Sequence, residues 1–277
     1  MVAGLVSGTS CIHLPPPPPP DEIDDAVRVP LVPRQGGPVV EVRIGEKTIP
    51  LLLDLGGFDT IALSPEALEN VQVAWTGKTR IVQDALGNAF RSREYRLPEV
   101  AVGPWTWSDL VGNEYHHCQQ ATEALRNGYL GLGMLRRFTL IIDQPRGILV
   151  LLRPGDPVPR EYPVDWWIEI PFPAGGTGVR TAATMRGREL RVVWDTGASH
   201  SLLKPAWADP AGVSKTGKHP RYTTPTFVLG GREYGPLEFV LMDFKEPPAD
   251  VLLGQNFLAT RPVLVDFARR RLALPAP

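Results

Sequence analysis

Cysteine and histidine are scarce in this chain: two Cys and five His in 277 residues. Cys11 lies in a low-complexity tail far from Cys118, so no structural disulfide is expected. The one dense group of soft ligands, His116-His117-Cys118, has no second cluster to complete a metal shell. It reads as a surface loop or helix start, and neither a metal nor a cofactor is expected. An excess of one charge sign is also missing. The net charge is −1 with 21% charged residues, which argues against nucleic acid as a partner. No stretch of about 18 uncharged apolar residues occurs, so no transmembrane helix is expected.

Proline and glycine are abundant instead, at 30 and 27. That favours short strands and many turns over long helices. The length suits one large β domain or two of ordinary size, and a hydrophobic fraction of 43% supports a core.

Residues 1–26 do not read as core. Pro15 to Pro20 is an uninterrupted proline run, extended as polyproline II, and Asp21, Glu22, Asp24 and Asp25 keep it solvated. Met1 to Cys11 is small and weakly apolar and lacks a basic start. Two readings stay open. One is the remnant of a secretion or lipoprotein signal ending at Cys11, although Gly8 stands where such a signal usually has Leu. That would place the chain in the cell envelope, the periplasm or outside the cell. The other is a plain disordered tail, which leaves a cytoplasmic location open.

The rest of the chain says nearly the same thing twice. Leu51-Leu52-Leu53-Asp54-Leu55-Gly56-Gly57 comes early and Val192-Val193-Trp194-Asp195-Thr196-Gly197-Ala198-Ser199 late. Each is an apolar run ending in Asp, one residue, then Gly. Each is answered downstream, by Tyr129-Leu130-Gly131 and by Leu252-Leu253-Gly254. Each answering glycine is followed at the same distance by another Asp, Asp143 or Asp266, read as structural. Val39 to Ile44 alternates as a half-buried strand, Gly45-Glu46-Lys47-Thr48 turns, and Ile49 to Asp54 reads as a buried run. Val179 to Met185, Arg186-Gly187-Arg188 and Leu190 to Asp195 copy this plan. Ser64-Pro65 and Leu203-Lys204-Pro205 each look like short helical starts. The boundary falls where Pro, Gly and charge cluster, giving one lobe over 27–155 and a second over 163–277. Only the first half carries an insertion, around Thr79 to Arg91, which reads as a projecting hairpin with Ala85-Leu86-Gly87-Asn88 at its tip and serves as a lid.

A carboxylate on a glycine turn after a buried strand is held rigidly near backbone N–H groups. Two such groups facing each other cannot both ionise, so they share one proton. One can then take a proton from water while the other donates to the carbonyl under attack, with no covalent intermediate. Asp54 and Asp195 are the two carboxylates in equivalent places.

Asp195-Thr196-Gly197-Ala198-Ser199 after its apolar run resembles the active-site motif of the retropepsin-like and pepsin-like aspartyl proteases. Leu253-Gly254 with Asn256-Phe257-Leu258 is similar to that family's apolar-apolar-Gly element. The resemblance covers roughly residues 30–275. It implies an all-β, bilobal acid-protease-like fold of two pseudo-symmetric repeats with few short helices. It implies catalytic Asp54 and Asp195, active-site loops Leu55-Gly56-Gly57 and Thr196-Gly197-Ala198, and a flap at Ala85 to Asn88. The substrate it implies is a polypeptide in the inter-lobe cleft of a monomer, since both lobes lie on one chain.

The first half departs from the family pattern twice. Leu55 stands where the family has Thr or Ser, whose hydroxyl bonds across to the other lobe; Thr196 can do so from one side only. Gly57 stands where Ala, Ser or Thr is usual. Two functions therefore stay open: an aspartic endopeptidase, and a catalytically degenerate peptide- or protein-binding module. A serine hydrolase using Ser199 or Ser201 with His200 is disfavoured, because no Gly-x-Ser-x-Gly elbow is present and His200 is expected to point away from both hydroxyls. Gly128 to Gly133 lacks the spacing of a phosphate-binding loop. Trp75, Trp105, Trp107, Trp166, Trp167 and Trp207 are candidate pocket walls, but each reads rather as core packing.

Overall fold

The structure is a computed structural model that describes residues 5–6, 26–34, 36–116, 122–169, 178–215, 217–245 and 249–274. Most of the tail, Cys11, His117 and Cys118 lie outside the described residues. His116 is described, and its Nε2 lies 3.3 Å from a Glu114 carboxylate oxygen. The fold is all-β, as expected. Among the described residues the three α-helices, Pro65–Leu68, Leu132–Leu135 and Gln255–Leu258, have four residues each. The first is capped as its sequence predicts: the Ala67 N–H donates to Ser64 Oγ, with Pro65 at the first helical position. The expected start after Lys204 is a single 3₁₀ turn, Pro205–Trp207.

The strands form two large sheets. In the first half Val39–Ile44 and Lys47–Leu53 make a hairpin, with Gly45 in the left-handed region at φ 57°. The end of Lys47–Leu53 pairs with Val39–Ile44 along one edge and lies parallel to Gly128–Leu130 along the other, and both its faces are buried, Leu51 and Leu53 in the main apolar cluster and Leu52 in a second one. Gly128–Leu130 runs antiparallel to Ile61–Leu63, which lies parallel to Trp105–Glu114. The second half repeats this arrangement. Val179–Met185 pairs with Arg188–Trp194, which lies parallel to Val251–Leu253. Val251–Leu253 runs antiparallel to Leu202–Leu203, which lies parallel to Leu237–Leu241. Trp194, Phe227, Phe239 and Phe257 fill the second lobe, while Trp105, Trp107 and Phe138 pack together in the first; Trp166, Trp167 and Trp207 are only partly buried, and Trp75, expected in the core, is 44% exposed.

The sheets do not divide cleanly at the chain's midpoint. Thr139–Asp143 of the first half pairs antiparallel with Val263–Asp266 of the second, and Val263–Asp266 with Arg271–Ala273. The two late aspartates sit in this shared layer. Tyr162 Oη donates to Asp143 at 2.9 Å, and the Arg269 amide and guanidinium donate to Asp266 at 3.0 Å each. Both are held by structural partners.

The insertion forms the strands Ala74–Asp84 and Ala89–Val102, longer than the sequence suggests. Asp84 builds the tip: its carboxylate accepts the N–H groups of Leu86 at 2.9 Å and Asn88 at 2.8 Å, and the Asn88 side-chain amide at 2.7 Å. The backbone of Leu5–Val6 pairs with Gln83 and Asp84.

Candidate active site

Asp54 and Asp195 each begin the turn after the last residue of a buried strand. The Asp54 amide donates to Leu130 O at 2.8 Å and the Asp195 amide to Leu253 O at 3.0 Å. The apolar-apolar-Gly elements therefore anchor both turns directly. Their glycines are required by close approach. A Cβ on Gly131 would stand 2.4 Å from Asp59 O, and one on Gly254 would stand 2.6 Å from the His200 carbonyl.

The turns bring the two carboxyls together. A Cβ placed on Gly56 would lie 3.0 Å from Asp195 Cγ and 3.2 Å from Asp54 Oδ1. Gly56 is thus wedged between the two acids, and any side chain there would push into both. Each carboxyl is held by its own loop. The Gly56 N–H donates to Asp54 Oδ1 at 2.8 Å, and the Gly197 and Ala198 N–H groups donate to Asp195 Oδ1 at 2.9 and 3.0 Å. Asp54 is 1% exposed and Asp195 2%. Burial, and then the Asp195 charge, push the Asp54 pKa well above the ordinary carboxylate range. The Gly56 and Gly57 amides pull it down less strongly, and the Asp59 charge adds a further upward push.

Thr196 bonds across to the first half. Its Oγ1 accepts the Leu55 N–H at 2.9 Å and donates to Leu53 O at 2.5 Å. Leu55 makes no reciprocal bond; its side chain is fully buried in the main apolar cluster. Thr196 O in turn accepts the Gln255 side-chain amide at 2.6 Å, a contact with no signal in the sequence.

Gly57 has a local reason. A Cβ there would lie 2.5 Å from Tyr129 Cε2 and 3.0 Å from Asp54 Oδ2, so the Tyr129 ring fills the space a side chain would need. Tyr129 Oη donates to Asp59 Oδ2 at 2.8 Å. Asp59 Oδ1 accepts from Asn113 Nδ2 at 3.0 Å and from the Arg80 guanidinium. Sequence reasoning missed all four of these residues. The available signal was a small-for-large exchange: the position after Gly56 loses its side chain while a large ring precedes Leu130-Gly131.

The hairpin tip does not project freely. Ala85 is 1% exposed and packs in an apolar cluster of the second lobe with Val193, Ala198 and Phe244. Ala85 O accepts the Lys245 N–H at 2.7 Å, and a Cβ on Gly87, itself at φ 88°, would meet Lys245 Cγ at 2.9 Å. Leu86 is 36% exposed. The tip therefore rests on the far lobe beside the loop that follows Asp195.

His200 corrects one expectation: its Nδ1 lies 3.3 Å from Ser199 Oγ, because the backbone bends at these two residues and brings the adjacent side chains to one side. Ser201 Oγ is occupied elsewhere. It donates to Asn256 Oδ1 at 2.7 Å and accepts the Gly254 N–H at 3.0 Å.

No family model matches the chain, and no curated protein matches it in sequence. Among solved structures the chain is similar to an aspartic proteinase from Irpex lacteus, with a TM-score of 0.64. The match covers 91% of this chain and 97% of that one at 14% identity. At that identity the likeness establishes the bilobal, pepsin-like fold.

Proposed function

We propose that the chain is an aspartic endopeptidase that hydrolyses peptide bonds with a water held between Asp54 and Asp195. The carrying observation is the meeting of two buried, loop-bound carboxyls at Gly56, one of them strongly biased toward its protonated form. The fold likeness to an aspartic proteinase supports the same reading.

The unequal surroundings suggest unequal roles. Asp54, kept protonated by burial and by its neighbours, donates to the carbonyl oxygen. Asp195 takes a proton from the water as its oxygen attacks the carbonyl carbon. The tetrahedral species then collapses: Asp195 returns that proton to the leaving nitrogen, the C–N bond breaks, and a hydroxyl proton goes back to Asp54. The substrate would be extended polypeptide lying between the lobes 27–155 and 163–277, under the hairpin carrying Ala85, Leu86, Gly87 and Asn88. A single chain supplies both acids, so a monomer suffices.

Cleavage of casein from about pH 3 to 8 tests this. Asp54→Asn and Asp195→Asn should each lower the rate by about 10²–10⁴-fold, the contribution of a positioned acid or base. The alkaline limb of the wild-type profile should lie above the ordinary carboxylate range, since activity needs Asp54 protonated. A folded wild type with no activity at any pH would leave the binding-module reading.

A further inference from the structure

Three carboxylates, not two, converge on the first-half turn. Asp59 sits five residues after Asp54 and is 8% exposed. Its donors come from three other elements: Arg80 from the hairpin strand Ala74–Asp84, Asn113 from Trp105–Glu114, and Tyr129 from Gly128–Leu130. Burying a charge is costly, and a well-packed apolar filling would serve stability as well or better. What a charged cluster adds is direction. Tyr129 Oη donates to Asp59 Oδ2, and Tyr115 stands edge-on to the Tyr129 ring with centroids 5.5 Å apart. The ring thereby fills the place of the absent Gly57 side chain, next to Asp54 Oδ2.

Among the described residues the second half has no copy of this cage. The residue five after Asp195 is His200, which contacts Ser199. The asymmetry falls on the acid that the catalytic proposal needs protonated.

We propose that Asp59 is a positioning residue for the Asp54 carboxyl: held by Arg80 and Asn113, it pins the Tyr129 ring against the outer Asp54 oxygen and so replaces the side chain missing at Gly57. The functional meaning of that positioning rests on the protease reading; the geometry does not. Because Arg80 belongs to the hairpin, the same contacts tie the hairpin's base to the acid.

The charged and titratable groups around Asp54 are Asp195 from the opposite turn, Asp59 from its own loop and Tyr129 from the strand beneath. Arg80 acts on Tyr129 and pairs with Asp59, while Glu114, next to Asn113, is paired with Arg93. Asp59→Asn removes a negative charge and leaves the Arg80 charge unbalanced, so the Asp54 titration should move down by about half a pH unit or more. Arg80→Met leaves the Asp59 charge unbalanced and should move it up. Tyr129→Ala admits water to Asp54 and should move it down.

The experiment is a carbon NMR titration of the intact protein labelled at its aspartate carboxyls, with Asp54→Asn assigning the resonance. Casein cleavage is measured on the same preparations. Opposite shifts for Asp59→Asn and Arg80→Met, with a kcat loss of about tenfold and little change in KM for Asp59→Asn, are the expected result. Shifts of the same sign, or no shift in either variant, overturn the inference even if the wild type is an active protease. The titration reads the positioning whether or not casein is cut, so an inactive wild type with opposite shifts sinks the protease reading alone. Should Asp59→Asn fail to fold, the partly exposed Arg80→Met and the Tyr129→Ala variant decide, since an unmoved midpoint in both sinks the proposal.

Discussion

At the scale of single residues, the molecule tolerates two departures from the aspartyl-protease pattern for different reasons. Leu55 gives up a hydroxyl and joins the apolar core, so the bond between the two turns is made by Thr196 alone, twice, to Leu55 N and Leu53 O. Gly57 gives up a side chain to Tyr129. The buried Asp54 leaves a thermodynamic mark. Its folded pKa lies above the unfolded value, so its contribution to stability is present below the ordinary carboxylate pKa and is lost as pH rises through the folded pKa. At pH 7 the wild type must either take up a proton on folding or bury a charge. Asp54→Asn should therefore raise Tm at pH 7, by roughly 2–4 °C for each kcal/mol relieved, and the gain should shrink below about pH 4. Calorimetry at the two pH values checks this; an equal gain at both would mean that Asp54 carries no raised pKa.

At the scale of elements, the hairpin is the part whose position matters most. Its strands are long, its tip is stiffened by Asp84, and its contact with the second lobe includes an apolar plug, Ala85 with Val193, Ala198 and Phe244, a backbone bond from Lys245 N–H to Ala85 O, and the Lys245 side chain against Gly87. On the proposed protease reading, a polypeptide entering beneath it would have to open that contact. Ala85→Glu puts an unpaired charge into the socket, so the tip should detach. We expect faster amide hydrogen exchange at Lys245 and preferential nicking at 85–88 by an added protease, with the remaining sheet unaffected. Unchanged exchange at Lys245 would show that the tip is held by something other than the plug. The hairpin's existence was legible as the extra segment in one half. Its docking was not, because Ala85 is an ordinary turn residue in sequence and its partners lie more than a hundred positions away.

At the scale of the whole molecule, the halves are joined by more than the 154–163 segment. Thr139–Asp143 and Val263–Asp266 are neighbours in one sheet, so each half completes a layer of the other. Nicking the chain within 154–163 should leave both fragments together on gel filtration and unfolding in a single urea transition, as sheet pairing and a shared core demand. Separation of the fragments without denaturant would contradict this.

The sequence by itself determined the periodic content of this protein. Apolar runs that end in Asp and Gly become buried strands with a carboxyl at the turn, glycines where backbones touch have no substitute, and the proline and glycine abundance keeps the helices short. These are local matters of sterics and burial. Only the tertiary structure decided what the asymmetry between the halves is built into. The Asp59 cage draws on residues 80, 113 and 129, the Gln255 bond reaches back to Thr196, and the hairpin tip finds its socket across the chain. Each depends on packing between distant segments, where a hydrogen bond or a filled space has no period for a linear pattern to carry.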